Sequence, residues 1–128
     1  MEQATLIAAW GIKLVDRGEF ERWSIAAKNA SSSPVFDVLI ESQTLPGKKE
    51  SRPNTILTLN HLPPGEFITP SAESGNGWGF PIDRRILAEN YETTMRSKKP
   101  MVTRIEFTDC YGQRWQRDTA GNLSKVPA

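Results

Sequence analysis

The chain has 128 residues, the length of one globular domain, and 38% of them are hydrophobic, which is enough for a single core. Lys and Arg total 16 and Asp and Glu total 15, so a net charge of +1 gives no reason to expect nucleic acid or an anionic membrane as a partner. We interpret residues 1–128 as one domain. The single cysteine, Cys110, and the single histidine, His61, exclude an internal disulfide and the common zinc sites built from one chain.

The sequence carries no recognisable targeting segment. No apolar run reaches the roughly 18 residues that a membrane-spanning helix needs. The N-terminus places Glu2 where a signal peptide has basic residues, so no export signal is predicted. A lone cysteine suits a reducing compartment. We therefore expect a cytoplasmic protein, with a membrane tether only if the chain comes from a longer parent.

Residues 5–15, TLIAAWGIKLV, predict the first β-strand, because every even position from Leu6 to Leu14 is apolar. A helix is the alternative, since Leu, Ile and Ala are good helix formers. Gly11 and the β-favouring Trp10 decide for the strand.

Two further strands, residues 22–30 and 35–42, are predicted on either side of a Ser-rich connection. Pro34 stands at the start of the second strand, where its missing backbone N–H costs least. Asp37 lies inside this strand and is expected to be exposed or to bond the preceding turn. The alternation places three apolar side chains together on one face: Phe36, Val38 and Ile40.

The middle of the chain alternates loops with short strands. Residues 42–54 are dense in Pro, Gly and charge and predict a loop. Residues 55–62 and 67–70 predict strands. Between them the sequence LPPGE fits a type II turn, with Pro64 at the second position and Gly65 at the third.

The region that follows is polar and hard to assign. Residues 71–80 predict a flexible loop that carries Trp78 near its end. Residues 83–98 fit a short helix capped by Asp83, with Leu87 and Tyr91 on one face, or an irregular segment.

The C-terminal part, residues 102–118, predicts a β-hairpin whose turn begins at Asp109 and closes at Gly112. Trp115 on the returning strand is expected to reach the core, and residues 118–123 predict another turn. In total, about seven to eight short strands and at most one short helix predict an all-β protein, an antiparallel immunoglobulin-like β-sandwich.

Three stretches in this order, residues 29–38, 62–65 and 107–117, resemble a small immunoglobulin-like or fibronectin-like β-sandwich domain of uncharacterised actinobacterial proteins. That domain has an Asn-Ala-Ser and Pro-Val strand start, a Leu-Pro-Pro-Gly corner and a hairpin with Phe-Thr-Asp, Gly and Arg-Trp. The resemblance covers most of the chain except residues 43–54 and 71–100.

The resemblance implies this fold and a non-enzymatic role, and it brings no catalytic residues with it. In that family a membrane helix or coiled segment often precedes the domain. This chain departs from the pattern in having Phe36 where Tyr is usual and in having Cys110 and Tyr111 in the hairpin turn.

Catalysis finds little support in the residues. Cys110 would need His61 as its base, and no signature accompanies the pair. Most carboxylates stand at turns, where they cap or solvate the backbone, rather than as the two facing acids of a glycosidase. No phosphate-binding loop, dinucleotide fingerprint, HExxH or EF-hand loop is present. We therefore predict no enzyme, no cofactor and no metal.

The four tryptophans raise a carbohydrate-binding alternative. Trp10, Trp23 and Trp115 share strand positions with other large apolar residues, which favours the core. Trp78 lies between glycines in a loop, where it is either a binding anchor or a plug over the end of the sandwich.

Positive charge is concentrated in the last third of the chain. Arg104 and Arg114 are expected on the same outward face of the hairpin, where they form a nucleic-acid surface or a solvated face that discourages edge pairing. Acidic neighbours dilute the patch, so nucleic-acid binding ranks below the other interpretations. The residues that supply the charge are Arg96, Lys98, Lys99, Arg104, Arg114 and Arg117.

These features predict a non-catalytic interaction or accessory domain that binds a protein partner of unknown identity through sheet edges and end loops. A carbohydrate-binding module is the alternative, and nucleic-acid binding through the basic C-terminal hairpin is the third interpretation. The predicted contact residues are Trp78, Tyr111, Arg114 and Arg117.

Overall fold

The computed structural model of the chain describes residues 2–16, 20–44, 52–70, 78–83, 90–93 and 102–127. They form one short helix, α1 (Glu2–Thr5), and a series of strands. The strands are β1 (Ile7–Asp16), β2 (Phe20–Asn29), β3 (Val35–Thr44), β4 (Arg52–Pro53), β5 (Leu57–Leu62), β6 (Gly65–Pro70), β7 (Ile82–Asp83), β8 (Asn90–Thr93), β9 (Val102–Thr108), β10 (Arg114–Arg117) and β11 (Leu123–Lys125).

The strands form two antiparallel sheets. The first has the order β7-β6-β2-β1-β8, and the second has the order β11-β10-β9-β3, with β4 and β5 both paired to the far edge of β3. Buried residues of both sheets share one core, so the predicted all-β antiparallel sandwich is confirmed. Within the described residues, nine strands have three or more residues, against the seven to eight predicted.

The main core lies between the two sheets. Ile7 and Ile25 enter it from the first sheet, and Val38, Phe107 and Trp115 enter it from the second. All five are at most 4% exposed. The prediction that Trp115 reaches the core is therefore confirmed.

Strand β1 has the predicted alternation, but Trp10 and Ile12 do not pack in the main core. Ile7 packs in the main core, whereas Ile12 and Trp10 belong to a second, smaller cluster with Ala26 and Ile68. Because successive strand residues point to opposite faces, the second cluster covers the outer face of the first sheet. Both faces of this sheet are partly apolar, so alternation alone does not identify the core side.

The prediction that Phe36 lies on one face with Val38 and Ile40 is wrong. Phe36 is 42% exposed, while the other two are fully buried. The cause is a β-bulge: Phe36 pairs with Thr108 of β9, but Leu39 pairs with Glu106, so β3 carries one extra residue. Asp37 lies in the bulge with a φ of 48° and an exposed side chain, as expected for this position.

The short helix considered for residues 83–98 is also wrong where the structure describes that region. Asp83 ends β7 opposite Phe67 of β6, and Tyr91 lies in β8 opposite Leu14 of β1. The rest of 83–98 lies outside the described residues. In the part of the chain that the structure covers, no helix is long and apolar enough to cross a membrane.

The predicted corner at LPPGE carries the chain from the second sheet to the first, between β5 and β6. Gly65 has a φ of 131°, in the region that the predicted turn reserves for glycine.

Two turns with the same hydrogen-bond pattern join the C-terminal strands: residues 109–113 and residues 118–122. In each, the Asp N–H donates to the carbonyl at the far end of the turn, over 2.9 and 3.1 Å. The glycine N–H then donates to the Asp carbonyl, over 3.1 and 3.0 Å. Gly112 and Gly121 have φ values of 87° and 83°, which glycine adopts without steric cost. Both predicted turns are confirmed.

Candidate interaction site

A groove of about 440 Å³ lies at one end of the sandwich, where α1, the connection between β2 and β3, and the β9–β10 turn meet. We call it the end groove. The described residues that line it have no charged side chain, and they combine amide, hydroxyl, thiol and phenol groups with apolar ones. Its lining residues are Gln3, Leu6, residues 30–33, Cys110 and Tyr111.

Gln3 holds the three sides of the end groove together. Its side-chain oxygen accepts a hydrogen bond from the Cys110 N–H at 2.7 Å. Its amide nitrogen donates to the Ser33 carbonyl at 2.9 Å and lies 3.2 Å from the Ser31 hydroxyl. The residue is 7% exposed, so these bonds replace lost contacts with water. One side chain of α1 therefore fixes both loops.

Asn29, at the end of β2, shapes the connection that follows it. Its amide nitrogen donates to the Ser33 carbonyl at 2.8 Å and to the Leu62 carbonyl of β5 at 3.0 Å. Its oxygen accepts from the Ser31 N–H at 2.9 Å. With 1% exposure, Asn29 is a buried polar residue whose donors and acceptor are all used. It ties the serine wall of the end groove to the second sheet.

Asp109 fixes the β9–β10 turn, which forms the wall of the end groove opposite the serines. One carboxylate oxygen accepts from the N–H groups of Tyr111 and Gln113, both at 2.9 Å. The other accepts from the indole N–H of Trp115 at 2.9 Å. Burial raises the pKa of this carboxyl, but the bonds from Trp115, Gln113 and Tyr111 stabilise the charged form and bring the pKa below its ordinary value of 3.8. The carboxylate thus anchors the turn to a core tryptophan.

The lowered pKa of Asp109 predicts acid sensitivity. The unfolded chain binds a proton at the ordinary pKa of 3.8, while the folded chain resists it. The charged Asp109 carboxylate therefore makes its full contribution to the free energy of unfolding above about pH 3.8. That contribution is lost as the pH falls through the lower pKa of the folded state. We expect urea unfolding between about pH 5 and pH 2 to show this loss in the wild type. In Asp109→Asn the free energy of unfolding should lack this part of the pH dependence. An identical slope in both proteins would contradict the assignment.

Tyr111 and Cys110 are both exposed at the end groove. The Tyr111 side chain is 84% exposed, on a turn whose backbone the Asp109 carboxylate holds in place. Cys110 is a free, exposed thiol. Tyr111 is the predicted contact residue that the structure leaves most open to a partner.

Arg114, a predicted contact residue, bonds to groups of its own sheet. Its guanidinium donates to the Asp37 carbonyl at 2.6 Å and to the Thr108 hydroxyl at 3.0 Å. It also pairs with Glu106 at 3.2 Å. Because Asp37 lies in the β3 bulge, the bond from Arg114 stabilises the backbone at the point where that strand departs from regular pairing. Sequence reasoning missed this role because it requires knowing where the bulge falls.

The outer face of the second sheet carries alternating charge. Arg104 pairs with Glu41 at 2.9 Å and lies 4.0 Å from Glu106, which in turn pairs with Arg114. Arg104 and Arg114 do lie on one face, with Glu106 between them. Among the described residues this face is a network of ion pairs rather than a uniformly basic surface.

Arg117, the last predicted contact in the hairpin, reaches the N-terminal helix. Its guanidinium donates to the Gly121 carbonyl at 2.9 Å and lies 3.5 Å from the carbonyls of Ala4 and Thr5. These two carbonyls are at the end of α1, where the helix leaves acceptors unsatisfied. Arg117 thus holds α1 against the second turn of the C-terminal strands.

Trp78 is partly buried against the main core. Its indole N–H donates to the Thr55 carbonyl at 2.7 Å, and the next residue, Gly79, donates its N–H to the Pro70 carbonyl at 2.8 Å. Of the two roles predicted for Trp78, these contacts fit the plug over the end of the sandwich better than the binding anchor. Trp78 is not among the residues that line the end groove.

The Cys110 and His61 side chains do not share the end groove. His61 is exposed on β5, opposite Phe36 of β3, and is absent from the groove lining that includes Cys110. The sequence offered few clues to Gln3 and Asn29. An Asn before a Ser-rich connection is a recognisable turn former, but nothing near Gln3 in the sequence indicates its partners.

Comparison with protein-family models, curated proteins and solved structures found no match to this chain. The resemblance to an actinobacterial immunoglobulin-like domain therefore stays a prediction.

Proposed function

We propose that the chain is a non-catalytic binding module that contacts a protein partner through the end groove. The observation that carries the proposal is Tyr111, 84% exposed at the rim of an uncharged groove. Its turn is fixed by Asp109, and an aromatic side chain on a fixed backbone loses little entropy when it is buried by a partner. Such residues are frequent energetic centres of interfaces.

The chemistry of the groove favours an uncharged polypeptide segment. Gln3, Ser31 and Ser32 offer polar groups, and Leu6, 43% exposed, offers an apolar surface. Among the described residues that line the groove there is no Lys or Arg to receive a phosphate, and Arg104 and Arg114 are already paired with carboxylates. These observations support a protein partner over nucleic acid.

The carbohydrate-binding alternative ranks second. It calls for a row of exposed aromatic side chains. The tryptophans whose side chains the structure describes, Trp10, Trp78 and Trp115, all pack against a buried cluster. Tyr111 alone among the lining residues is aromatic.

The proposal includes a cytoplasmic location and the absence of catalysis. The one cysteine is free and exposed, a state that a reducing compartment preserves. A thiol nucleophile needs a base within hydrogen-bond reach, and the described lining residues of the end groove include no imidazole or carboxylate.

Tyr111→Ala tests the proposal directly. Proteins captured from the source lysate by the wild type, with and without nuclease, would be identified and then titrated in purified form against the wild type and Tyr111→Ala. We expect Tyr111→Ala to weaken the affinity by at least about tenfold, because it removes the main exposed aromatic contact. Its urea midpoint should stay at the wild-type value, since the side chain is exposed.

Phe80→Ala is the matched control, because Phe80 is 90% exposed and is not part of the groove lining. It should bind as the wild type does. Equal affinity of Tyr111→Ala and the wild type would reject the end groove as the contact surface. Capture that disappears with nuclease would favour nucleic acid instead.

A further inference from the structure

Strand β5 is the longest edge strand that the structure describes. Five of its six residues pair with β3 and, among the described residues, no strand pairs with its other side. The remaining edge strands have between two and four residues: β4, β7, β8 and β11. A free edge presents a row of backbone N–H and C=O groups that another strand can pair with.

The β5 edge lacks the features that keep sheet edges apart. Residues 57–62, LTLNHL, contain no Lys, Arg, Asp, Glu or Pro. The pairing of β5 with β3 has no register shift, so no bulge turns the edge away. By contrast, β11 is short, carries Lys125 and is followed by Pro127. Natural proteins protect exposed edges by such charges, prolines and short lengths.

An exposed apolar side chain lies at the start of β5. Ile56 directly precedes the strand and is 46% exposed. It is therefore available for contact with a second strand that pairs along the β5 edge.

We propose that β5 pairs with β5 of a second copy of this chain, antiparallel and about a two-fold axis. In such a pair the start of one strand lies beside the end of the other, so Ile56 of one copy meets the prolines 63–64 of its partner. The uncharged edge opposes itself without like-charge repulsion. The second sheet then continues across both copies. This surface is separate from the end groove, and the proposal does not depend on the proposed function.

Sedimentation equilibrium from about 1 μM to 1 mM tests the pairing, since weak dimers dissociate within this range. The wild type should show a reversible dimer. Asn60 is exposed on β5, so Asn60→Lys and Asn60→Glu leave the fold intact, as circular dichroism would check. Each variant alone should dimerise at least about tenfold more weakly, because like charges face each other across the axis. Mixing the two variants should restore a mixed dimer.

Ser124→Lys supplies the matched control, since it adds the same charge to an exposed position on the opposite edge of the same sheet. It should dimerise as the wild type does. Amide hydrogen exchange of residues 57–62 should slow with rising protein concentration.

Two outcomes would overturn the proposal. One is a monomer at every concentration. The other is a dimer that the Asn60 variants leave unchanged, which would place the interface elsewhere. A monomer whose β5 amides are protected by a synthetic peptide of residues 55–62 would show that the edge accepts a foreign strand, and self-pairing would again be wrong.

Discussion

Asp109→Ala should lower the free energy of unfolding by about 3 to 4 kcal/mol, a large share of the stability of a small domain. The carboxylate is 3% exposed and accepts hydrogen bonds from the Trp115 indole and from the N–H groups of Tyr111 and Gln113. Alanine leaves these donors without an acceptor, and the indole has no access to water where it lies. Urea unfolding followed by circular dichroism measures the loss.

Asp118→Ala is an internal control for this prediction. The Asp118 turn has the same backbone pattern, and its carboxylate accepts from the N–H groups of Ala120 and Asn122 at 2.9 and 3.0 Å. It is exposed, so water replaces the lost acceptor and the cost should be about 1 kcal/mol or less. Equal losses in the two variants would mean that burial and the Trp115 bond contribute nothing to the Asp109 turn.

Trp78→Ala should destabilise the protein by about 2 to 3 kcal/mol. The indole is partly buried against the main core and donates to the Thr55 carbonyl. Removing it leaves a cavity over the end of the sandwich and breaks the link between residues 54–56 and 78–80. The thermal midpoint and the urea midpoint should both fall.

The result separates the two roles that the sequence left open for Trp78. Phe80→Ala, two residues away and 90% exposed, should change stability by less than about 0.5 kcal/mol. If Trp78→Ala changes the free energy of unfolding equally little, the indole does not support the core. Trp78 would then be a candidate contact residue again.

Most strands of this fold could be predicted from the sequence because their signals are local. Turn formers such as Gly65, Gly112 and Gly121 mark the ends of strands wherever a positive φ is needed. The side that each strand buries was harder to predict. Ile12 and Ile7 are both fully buried on opposite faces of β1, and the bulge at Asp37 resets the alternation of β3 so that Phe36 becomes exposed. Both features depend on neighbouring strands.

The candidate site was predictable only in part. Tyr111 stands in a turn with clear Asp and Gly signals, so its exposure follows from the local sequence. Arg114 and Arg117 looked free because their acceptors, the carbonyls of Asp37 and Ala4, are far away in the chain. Gln3 was missed for the same reason. Every residue has a backbone carbonyl, so the sequence does not show which carbonyls accept hydrogen bonds from distant side chains. Such contacts are known only once the fold is known.

The three-stranded meander of β9, β10 and β11 also bears on the order of folding. Its strands are neighbours in the chain, whereas the pairing of Leu39 with Glu106 closes a loop of more than half the chain. Short loops close at a much smaller entropic cost than long ones, and local contacts form faster. We expect the meander, with Tyr111 on its first turn, to assemble early. The end groove forms only when Gln3 and the connection between β2 and β3 pack against this turn. A partner that binds the groove therefore recognises only the fully folded chain.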